Sequence, residues 1–167
     1  NNLKEYLALH IQAMLNPDKL VTTFITNRAG KEGGLKEVTD GDFDTHVIAK
    51  TTIVIERGDY VGLRFNKAIK IHKLGFATGT NTADNYTFSN ALVEYQNEHG
   101  EWVAITSPAY TGRERILEFN DLDITAQAVR MIATAKKDNA CLAMREIAVN
   151  RPLELGNKKV RGTISLS

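Results

Sequence analysis

The sequence has few of the features that stabilise or localise unusual proteins. Its 167 residues include one cysteine, Cys141, so no intrachain disulfide can form and a disulfide-stapled mini-domain is excluded. No apolar run approaches the roughly 18 residues of a membrane-spanning helix. Neither sign of charge dominates, because 21 Lys and Arg balance 20 Asp and Glu. This near-neutral balance argues against an electrostatic nucleic-acid binder, which would carry a basic excess.

Patterns of common enzyme sites are also missing. The four histidines lie in four different segments, without the HxH or HxxxH spacing that is typical of zinc sites. No GxSxG, GxGxxG or P-loop pattern occurs. Cys141 lies beside Leu142 and Met144, which is typical of a small core residue. We therefore expect a non-catalytic domain, although carboxylates that meet only in space leave no sequence pattern.

An amphipathic helix is predicted at the start of the chain, over residues 3–15. Its apolar positions recur at spacings of three and four and are Leu3, Leu7, Ile11, Met14 and Leu15. Asn2 and Glu5 fit a capping box, and Asn16-Pro17 ends the helix. The apolar face needs a partner, either a preceding domain or a flank of the main domain.

The rest of the chain has the pattern of an all-β sandwich or barrel. Short β-branched and aromatic segments alternate with turn-forming residues. The predicted strands are 20–26, 51–56, 59–66, 69–77, 89–96, 101–105, 114–119, 126–135 and 142–149. The alanines of 126–135 also suit a helix, but its neighbours favour a strand with Val129, Met131 and Ala133 on one face. A β-hairpin is predicted over 91–105, with Trp102 in the core.

Two polar segments are candidates for binding. In 37–45, Asp40, Asp42 and Asp44 surround Gly41, which suits calcium but also suits a turn capped by its own side chains. Thr45 and Thr51 occupy positions where an EF-hand requires glycine and glutamate, so that motif is rejected. The loop 77–90 offers hydrogen-bonding side chains and one aromatic ring, as binding loops and ordinary solvated loops both do.

Four motifs in order resemble a known family. They are VTDGDFDT at 38–45, RGDYVGLRF at 57–65, VEYQNEHGEWVAI at 93–105, and AVRMIATA followed by MREIAVN at 144–150. Together they resemble the discoidin-like domain, also called the coagulation factor V/VIII type C domain. More narrowly, they are similar to a family 32 carbohydrate-binding module of a secreted modular glycoside hydrolase. The resemblance covers about residues 20–150.

The resemblance implies an antiparallel, eight-stranded jelly-roll β-sandwich with its termini close together. The module would occupy 19–151. Residues 1–18 would be a short helix or a linker from a preceding domain, and 152–167 a linker or tail.

The resemblance also implies a structural calcium ion that ties the acidic turn to the last strand. Asp40 and Glu146 would supply carboxylate oxygens, and Thr45 its hydroxyl and carbonyl oxygens. Backbone carbonyls would come from Glu37, Asp42 and Arg145.

Sugar binding in such modules uses three loops at one end of the sandwich, here 46–52, 77–90 and 136–142. The candidate sugar-binding residues are His46, Asn81, Asp84, Asn85, Tyr86 and Asn139. Ala140 and Leu142 would help to form a small apolar pocket for an N-acetyl group. This sequence has no tryptophan in the first loop, no arginine in the second and no aromatic residue in the third, unlike common galactose binders.

The function expected from this resemblance is that of a non-catalytic module, secreted or on a cell surface. It would target a parent glycoside hydrolase to host or cell-surface glycans that end in GlcNAc, GalNAc or Gal. Its partners would be glycan termini and neighbouring domains of the parent enzyme, with no nucleic acid and no membrane insertion. The alternative is a protein-interaction or spacer domain of the same fold that binds no sugar.

Overall fold

Two antiparallel sheets form the body of the protein. The structure is a computed structural model that describes residues 2–15, 19–29, 32–49, 52–82 and 86–153. Its elements in chain order are α1 (Asn2–Leu15), β1 (Thr22–Thr26), α2 (Leu35–Thr39), β2 (Val47–Ile48), β3 (Val54–Ile55), β4 (Tyr60–Ile71), β5 (Leu74–Thr78), β6 (Ala91–Gln96), β7 (Trp102–Ile105), β8 (Ile116–Phe119), β9 (Ile124–Ala133), β10 (Lys137–Asp138) and β11 (Ala143–Val149).

The sheet order confirms the predicted β-sandwich. One sheet has five strands in the order β1-β4-β9-β6-β7, and the other has four in the order β2-β11-β5-β8. A two-stranded ribbon, β10-β3, lies beside them. Among the described residues, eight strands have four or more residues and three have two, so the eight-stranded framework matches the expectation.

Alternating apolar residues build the core between the sheets. Val129, Met131 and Ala133 are buried on β9, as predicted. Phe76 and Phe119 are among the largest fully buried side chains. Because β9 pairs with both β4 and β6, the strand assignment for 126–135 is confirmed over the helical alternative.

The boundaries of β4 differ from the prediction of two strands at 59–66 and 69–77. The strand continues from Tyr60 to Ile71, and its pairing with β9 shifts register between Arg64 and Ile69. Residues 66–68 are exposed, so their polarity marks a solvated irregularity within the strand. The chain turns at 72–73 instead.

The 91–105 hairpin forms as β6 and β7, but the prediction that Trp102 lies in the core is wrong. Ile105 pairs with the buried Val93, so Trp102, three residues earlier, faces the opposite side of the sheet. There its ring centroid lies 3.7 Å from the Arg130 guanidinium carbon. Arg130 is also 2.8 Å from a carboxylate oxygen of Glu94. Trp102 therefore stabilises the outer face of the five-stranded sheet by a cation–π contact.

The predicted N-terminal helix forms as α1, and its apolar face is largely open. Leu3, Leu7 and Ile11 are 64%, 45% and 53% exposed. The predicted stop at Asn16-Pro17 lies outside the described residues. No helix in the part of the chain that the structure describes is both long and apolar enough to cross a membrane.

Candidate functional site

The acidic turn, residues 37–45, follows a short helix that the sequence analysis did not predict. The helix, α2, begins after Gly34, whose N–H donates to Glu37 Oε1 at 2.8 Å. It ends at Thr39, and Gly41 then adopts φ +74°. Glycine enters this left-handed region without a side-chain penalty. The GxxE pattern, a helix-start residue followed by glutamate at the third position, is the sequence signal for α2.

The Thr45 hydroxyl lies at the centre of the acidic turn. It is 2.6 Å from Asp40 Oδ2, 3.0 Å from the Asp42 carbonyl oxygen and 3.1 Å from the Glu37 carbonyl oxygen. A hydroxyl has one proton, so it can donate to only one of these oxygens at a time. The turn therefore gathers more oxygen acceptors than its own donor can satisfy.

The turn also orders its own backbone. Asp40 Oδ1 accepts the Asp42 N–H at 3.0 Å, and Asp42 Oδ1 accepts the Asp44 N–H at 2.9 Å. These bonds are the self-capping expected of an Asp-rich turn. The two interpretations of this segment are thus compatible, because Asp40 uses one oxygen for capping and directs the other to the Thr45 cluster.

Glu146 brings a second carboxylate to the turn from β11. Its side chain is fully buried, and its Oε2 accepts the Gly41 N–H at 3.0 Å and forms an ion pair with Arg151. Among the described residues, none donates a hydrogen bond to Oε1. Burial raises the pKa of the Glu146 carboxyl to about 7, with Arg151 and the Gly41 N–H acting against it and Asp40 reinforcing it.

A β-bulge positions the strand that carries Glu146. The pairing of β11 with β5 shifts between Met144 and Glu146, which takes Arg145 out of the ladder. The Arg145 side chain donates to the Thr78 carbonyl at 3.0 Å and lies over the Phe43 ring of the acidic turn. It therefore ties β11 to the turn from the other side.

The structure brings five of the six predicted metal ligands to the acidic turn. Glu37, Asp40, Asp42 and Thr45 meet at the Thr45 hydroxyl, and Glu146 joins them through Gly41. Arg145 precedes Glu146 on the same strand. No group of three or more His, Cys, Asp or Glu side chains in the described ranges forms a metal site. A cation here would thus rely on two carboxylates plus carbonyl and hydroxyl oxygens, a donor set that suits a hard ion such as calcium.

Arg151 lies beyond the last matching motif and is not among the predicted site residues. Its Nη2 contacts Glu146 Oε2 and lies 3.5 Å from the carbonyl oxygens of Thr39 and Ile147. An arginine five positions after a strand glutamate has no regular spacing to it. No local sequence signal therefore identifies this pair.

The first predicted sugar-binding loop contributes His46. His46 precedes β2, and its side chain is 22% exposed, with Nε2 3.7 Å from Glu32 Oε1. Within the described residues, its buried Nδ1 has no hydrogen-bond partner. Glu32 bridges to Ile48, so the structure brings this unpredicted carboxylate to His46.

The second predicted loop divides between solvent and core. Asn81 is exposed, and its amide donates to Asp44 Oδ1 at 3.3 Å. Tyr86 packs against Ile48, Cys141 and neighbouring core residues. Its pKa is raised, first by a hydrogen bond with Cys141. Tyr86 therefore presents less of its ring for stacking than the sequence analysis expected.

The third loop contributes an exposed residue, Asn139, with φ +57° and a backbone hydrogen bond to the Ile53 carbonyl at 3.1 Å. Ala140 and Leu142 are fully buried in the main core, so the expectation that they line an open pocket is wrong. Cys141 is buried, as predicted. Asp84 and Asn85 lie outside the described residues.

Two concave regions of the structure lie elsewhere. A groove of 330 Å³ opens between the sheets beside α2, with Leu35, Phe65 and Arg151 in its lining. A second of 230 Å³ is lined by the β6–β7 edge, Pro108 and Tyr110. Neither is lined by His46, Asn81, Tyr86 or Asn139.

Comparison with known proteins identifies the fold through structure. No family model matches the sequence, and no curated protein matches it. The family 32 module from C. perfringens NanJ in complex with galactose matches with a TM-score of 0.61 at 13% identity, over 77% of this chain and 92% of that one.

Two further structures agree. The CpGH89CBM32-5 module of Clostridium perfringens, in complex with GalNAc-β-1,3-galactose, matches with a TM-score of 0.58 at 16% identity, over 79% of this chain and 95% of that one. The CBM32 of AlyQ, in complex with 4,5-unsaturated mannuronic acid, matches with a TM-score of 0.54 at 14% identity, over 75% and 92%. The chain therefore has the β-sandwich fold of family 32 carbohydrate-binding modules.

Proposed function

We propose that this chain is a non-catalytic carbohydrate-binding module of the family 32 type, stabilised by a calcium ion. The observation that carries the proposal is the closure of the acidic turn by Glu146 within a sandwich shared with sugar-bound modules. The module would serve a secreted or cell-surface glycoside hydrolase, as a domain that holds the enzyme near its glycans. Fold alone does not assign function, so the support comes from the site and its tests.

Calcium would be held by the oxygen cluster around Thr45. Asp40 and Glu146 would supply carboxylate oxygens, Thr45 its hydroxyl and carbonyl, and Glu37, Asp42 and Arg145 backbone carbonyls. The buried Oε1 of Glu146 supports this, because a desolvated carboxylate oxygen without a donor is costly unless a cation is nearby. Bound calcium would supply positive charge and a fixed geometry that joins the turn to the last strand.

Sugar would bind at the loop end, which we define by His46, Asn81, Tyr86 and Asn139, with Asp84 and Asn85 as further contributors. The side chain of His46 is partly exposed, and the exposed amide of Asn81 can bond a sugar hydroxyl. The ligands would be glycans ending in GlcNAc, GalNAc or Gal. The galactose and the GalNAc-β-1,3-galactose bound in two of the matched structures support the Gal and GalNAc members of this class.

A glycan array with calcium-loaded protein tests this proposal. Selective signal on one terminal sugar is expected, followed by a loss of about tenfold or more in affinity for His46→Ala. A buried sugar hydrogen bond that loses its partner costs about that much. His99→Ala is the matched control, since His99 is exposed on the β6–β7 turn. Equal losses in both variants, or binding that survives in His46→Ala, would exclude the loop end.

The second candidate is a protein-interaction or spacer domain of the same fold. It is favoured by the position of both concave regions away from the loop end and by the packing of Tyr86 into the core. A blank array with folded, calcium-loaded protein would select it over sugar binding. Affinity purification with the intact parent protein should then recover a partner protein. The isolated chain without α1 should recover the same partner equally well.

A further inference from the structure

The guanidinium of Arg151 lies against the buried Glu146 carboxylate of the last strand. Arg151 follows β11, where Asn150 turns the chain with φ +59°. Its Nη2 is paired with Glu146 Oε2 and lies 3.5 Å from the Thr39 carbonyl at the end of α2. One side chain thus links the last strand to the helix that leads into the acidic turn.

The two oxygens of Glu146 have separate roles. Oε2 accepts from both Arg151 and the Gly41 N–H, so its acceptor positions are used. Oε1 is buried, and the described residues provide it with no donor. The carboxylate therefore pairs Oε2 with a protein cation, and Oε1 is left without a donor from the described residues.

We infer that Arg151 is a built-in counter-cation that keeps the turn closed without calcium and competes electrostatically with calcium for Glu146. This inference rests on the proposed calcium site and concerns how that site is regulated. In the absence of metal, the guanidinium compensates the buried carboxylate, which otherwise would be an unpaired buried charge. With calcium bound, two cations share one carboxylate and repel each other.

Two consequences follow. The fold persists at calcium concentrations too low to fill the site, because Arg151 already holds Glu146 to the turn. The site also binds calcium more weakly than the same oxygens would alone. Arg151 therefore acts as a positioning residue. It keeps the turn closed in the absence of calcium, and it lowers the affinity of the site for calcium.

The test uses the full chain and the variants Arg151→Gln, Arg151→Lys and Arg57→Gln. Arg57→Gln is matched in charge change and lies on an exposed turn. Thermal unfolding is measured in chelator and in saturating calcium, and calcium binding is measured by titration calorimetry. For Arg151→Gln we expect Tm to fall by about 5 °C or more in chelator and by less than half of that in calcium. Calcium should bind this variant about tenfold more tightly than wild type.

The other two variants test whether the effects of Arg151→Gln come from the charge at this position. Arg57→Gln should match wild type in both conditions. Arg151→Lys keeps the charge, so its calcium affinity should stay near wild type even where its poorer geometry lowers Tm. Recovery of Arg151→Gln as folded protein only in the presence of calcium would also support the inference.

Several outcomes would overturn it. Equal Tm losses with and without calcium, together with unchanged calcium affinity, would make Arg151 a simple stabilising residue and leave the calcium site intact. No heat and no Tm response to calcium in either wild type or Arg151→Gln would remove the calcium site and this inference with it. Sugar binding is measured separately on the array, so its failure is distinguishable from both.

Discussion

The acidic turn and the loop end are built in different ways. In the turn, polar groups bond one another: Asp40 holds both the Asp42 N–H and the Thr45 hydroxyl. At the loop end, the candidate residues have separate neighbours, since His46 lies near Glu32 and Tyr86 packs against Ile48 and Cys141. The turn is therefore a connected cluster that Glu146 closes from β11, whereas the residues of the loop end come from separate segments.

Because of this difference, we expect one region to determine stability and the other to determine ligand recognition. A unit whose side chains satisfy one another responds to the loss of any member as a whole. Exposed residues that bond separate neighbours can change with little effect on folding. The turn should therefore govern stability and its calcium response, and the loop end should govern ligand choice.

Asp40→Ala should give the largest effect, because it removes two hydrogen bonds and one proposed calcium ligand. The loss of the capping bonds should lower the free energy of unfolding by about 1 kcal/mol in chelator. In calcium at about 100 times Kd, a further loss of about 2.7 kcal/mol is expected, since binding then no longer adds to stability. Denaturant unfolding in both conditions measures the two parts.

Asp123→Ala is the control for Asp40→Ala. It removes the same charge, and the Asp123 side chain is 95% exposed. It should leave stability and the calcium response unchanged. Sugar binding by Asp40→Ala should survive in excess calcium, which would keep the two regions separate. An Asp40→Ala loss of the same size in chelator and in calcium would argue against a metal at the turn.

Trp102→Ala should give the second-largest loss of stability, and this loss should not depend on calcium. It removes the cation–π contact with Arg130 and the cover that the indole gives to the outer face of the sheet. We expect a loss of about 2 kcal/mol, the same in chelator and in calcium. Val103→Ala, on the same strand and 36% exposed, should cost clearly less. A calcium-dependent loss for Trp102→Ala would show that calcium stabilises more than the turn.

Gly41→Ala tests the backbone conformation of the turn and leaves the carboxylates of the turn in place. No heavy atom lies within 4 Å of an added Cβ, so the cost arises from φ +74° alone. About 1 kcal/mol is expected. Gly100→Ala, at φ +84° with the same open surroundings, is the control on the distant β6–β7 turn. Only Gly41→Ala should also weaken the calcium response, because strain at φ +74° would shift the backbone N–H that holds Glu146.

Local patterns predicted much of this molecule. The strand periodicity of 126–135, the 91–105 hairpin and the α1 helix follow from spacing within one segment, and the structure confirms each. The resemblance predicted the oxygen cluster of the turn, with four ligands within 37–45, namely Glu37, Asp40, Asp42 and Thr45. These features are encoded by residues that are close in sequence.

Features that depend on distant residues could not be predicted. Trp102 lies on the outer face because of its parity relative to Ile105, and the hairpin signal alone does not show which face is buried. Arg151 has no regular spacing to Glu146, and its contact with the Thr39 carbonyl depends on α2, which is distant in sequence. The burial of Ala140 and Leu142 likewise depends on the position of β11 between two strands.

Asn81→Ala tests the one described contact that links the two regions and should have the smallest effect on stability. The amide of Asn81 donates to Asp44 at 3.3 Å, and both residues are exposed. An exposed bond of this kind contributes little, so the free energy of unfolding should change by no more than about 0.5 kcal/mol. The calcium response should stay unchanged, while affinity for the sugar found on the array should fall. Asn120→Ala, at another exposed position, should change none of these quantities. A shifted calcium response in Asn81→Ala would show instead that the loop end and the turn act as one unit, because the contact would then transmit the state of one region to the other.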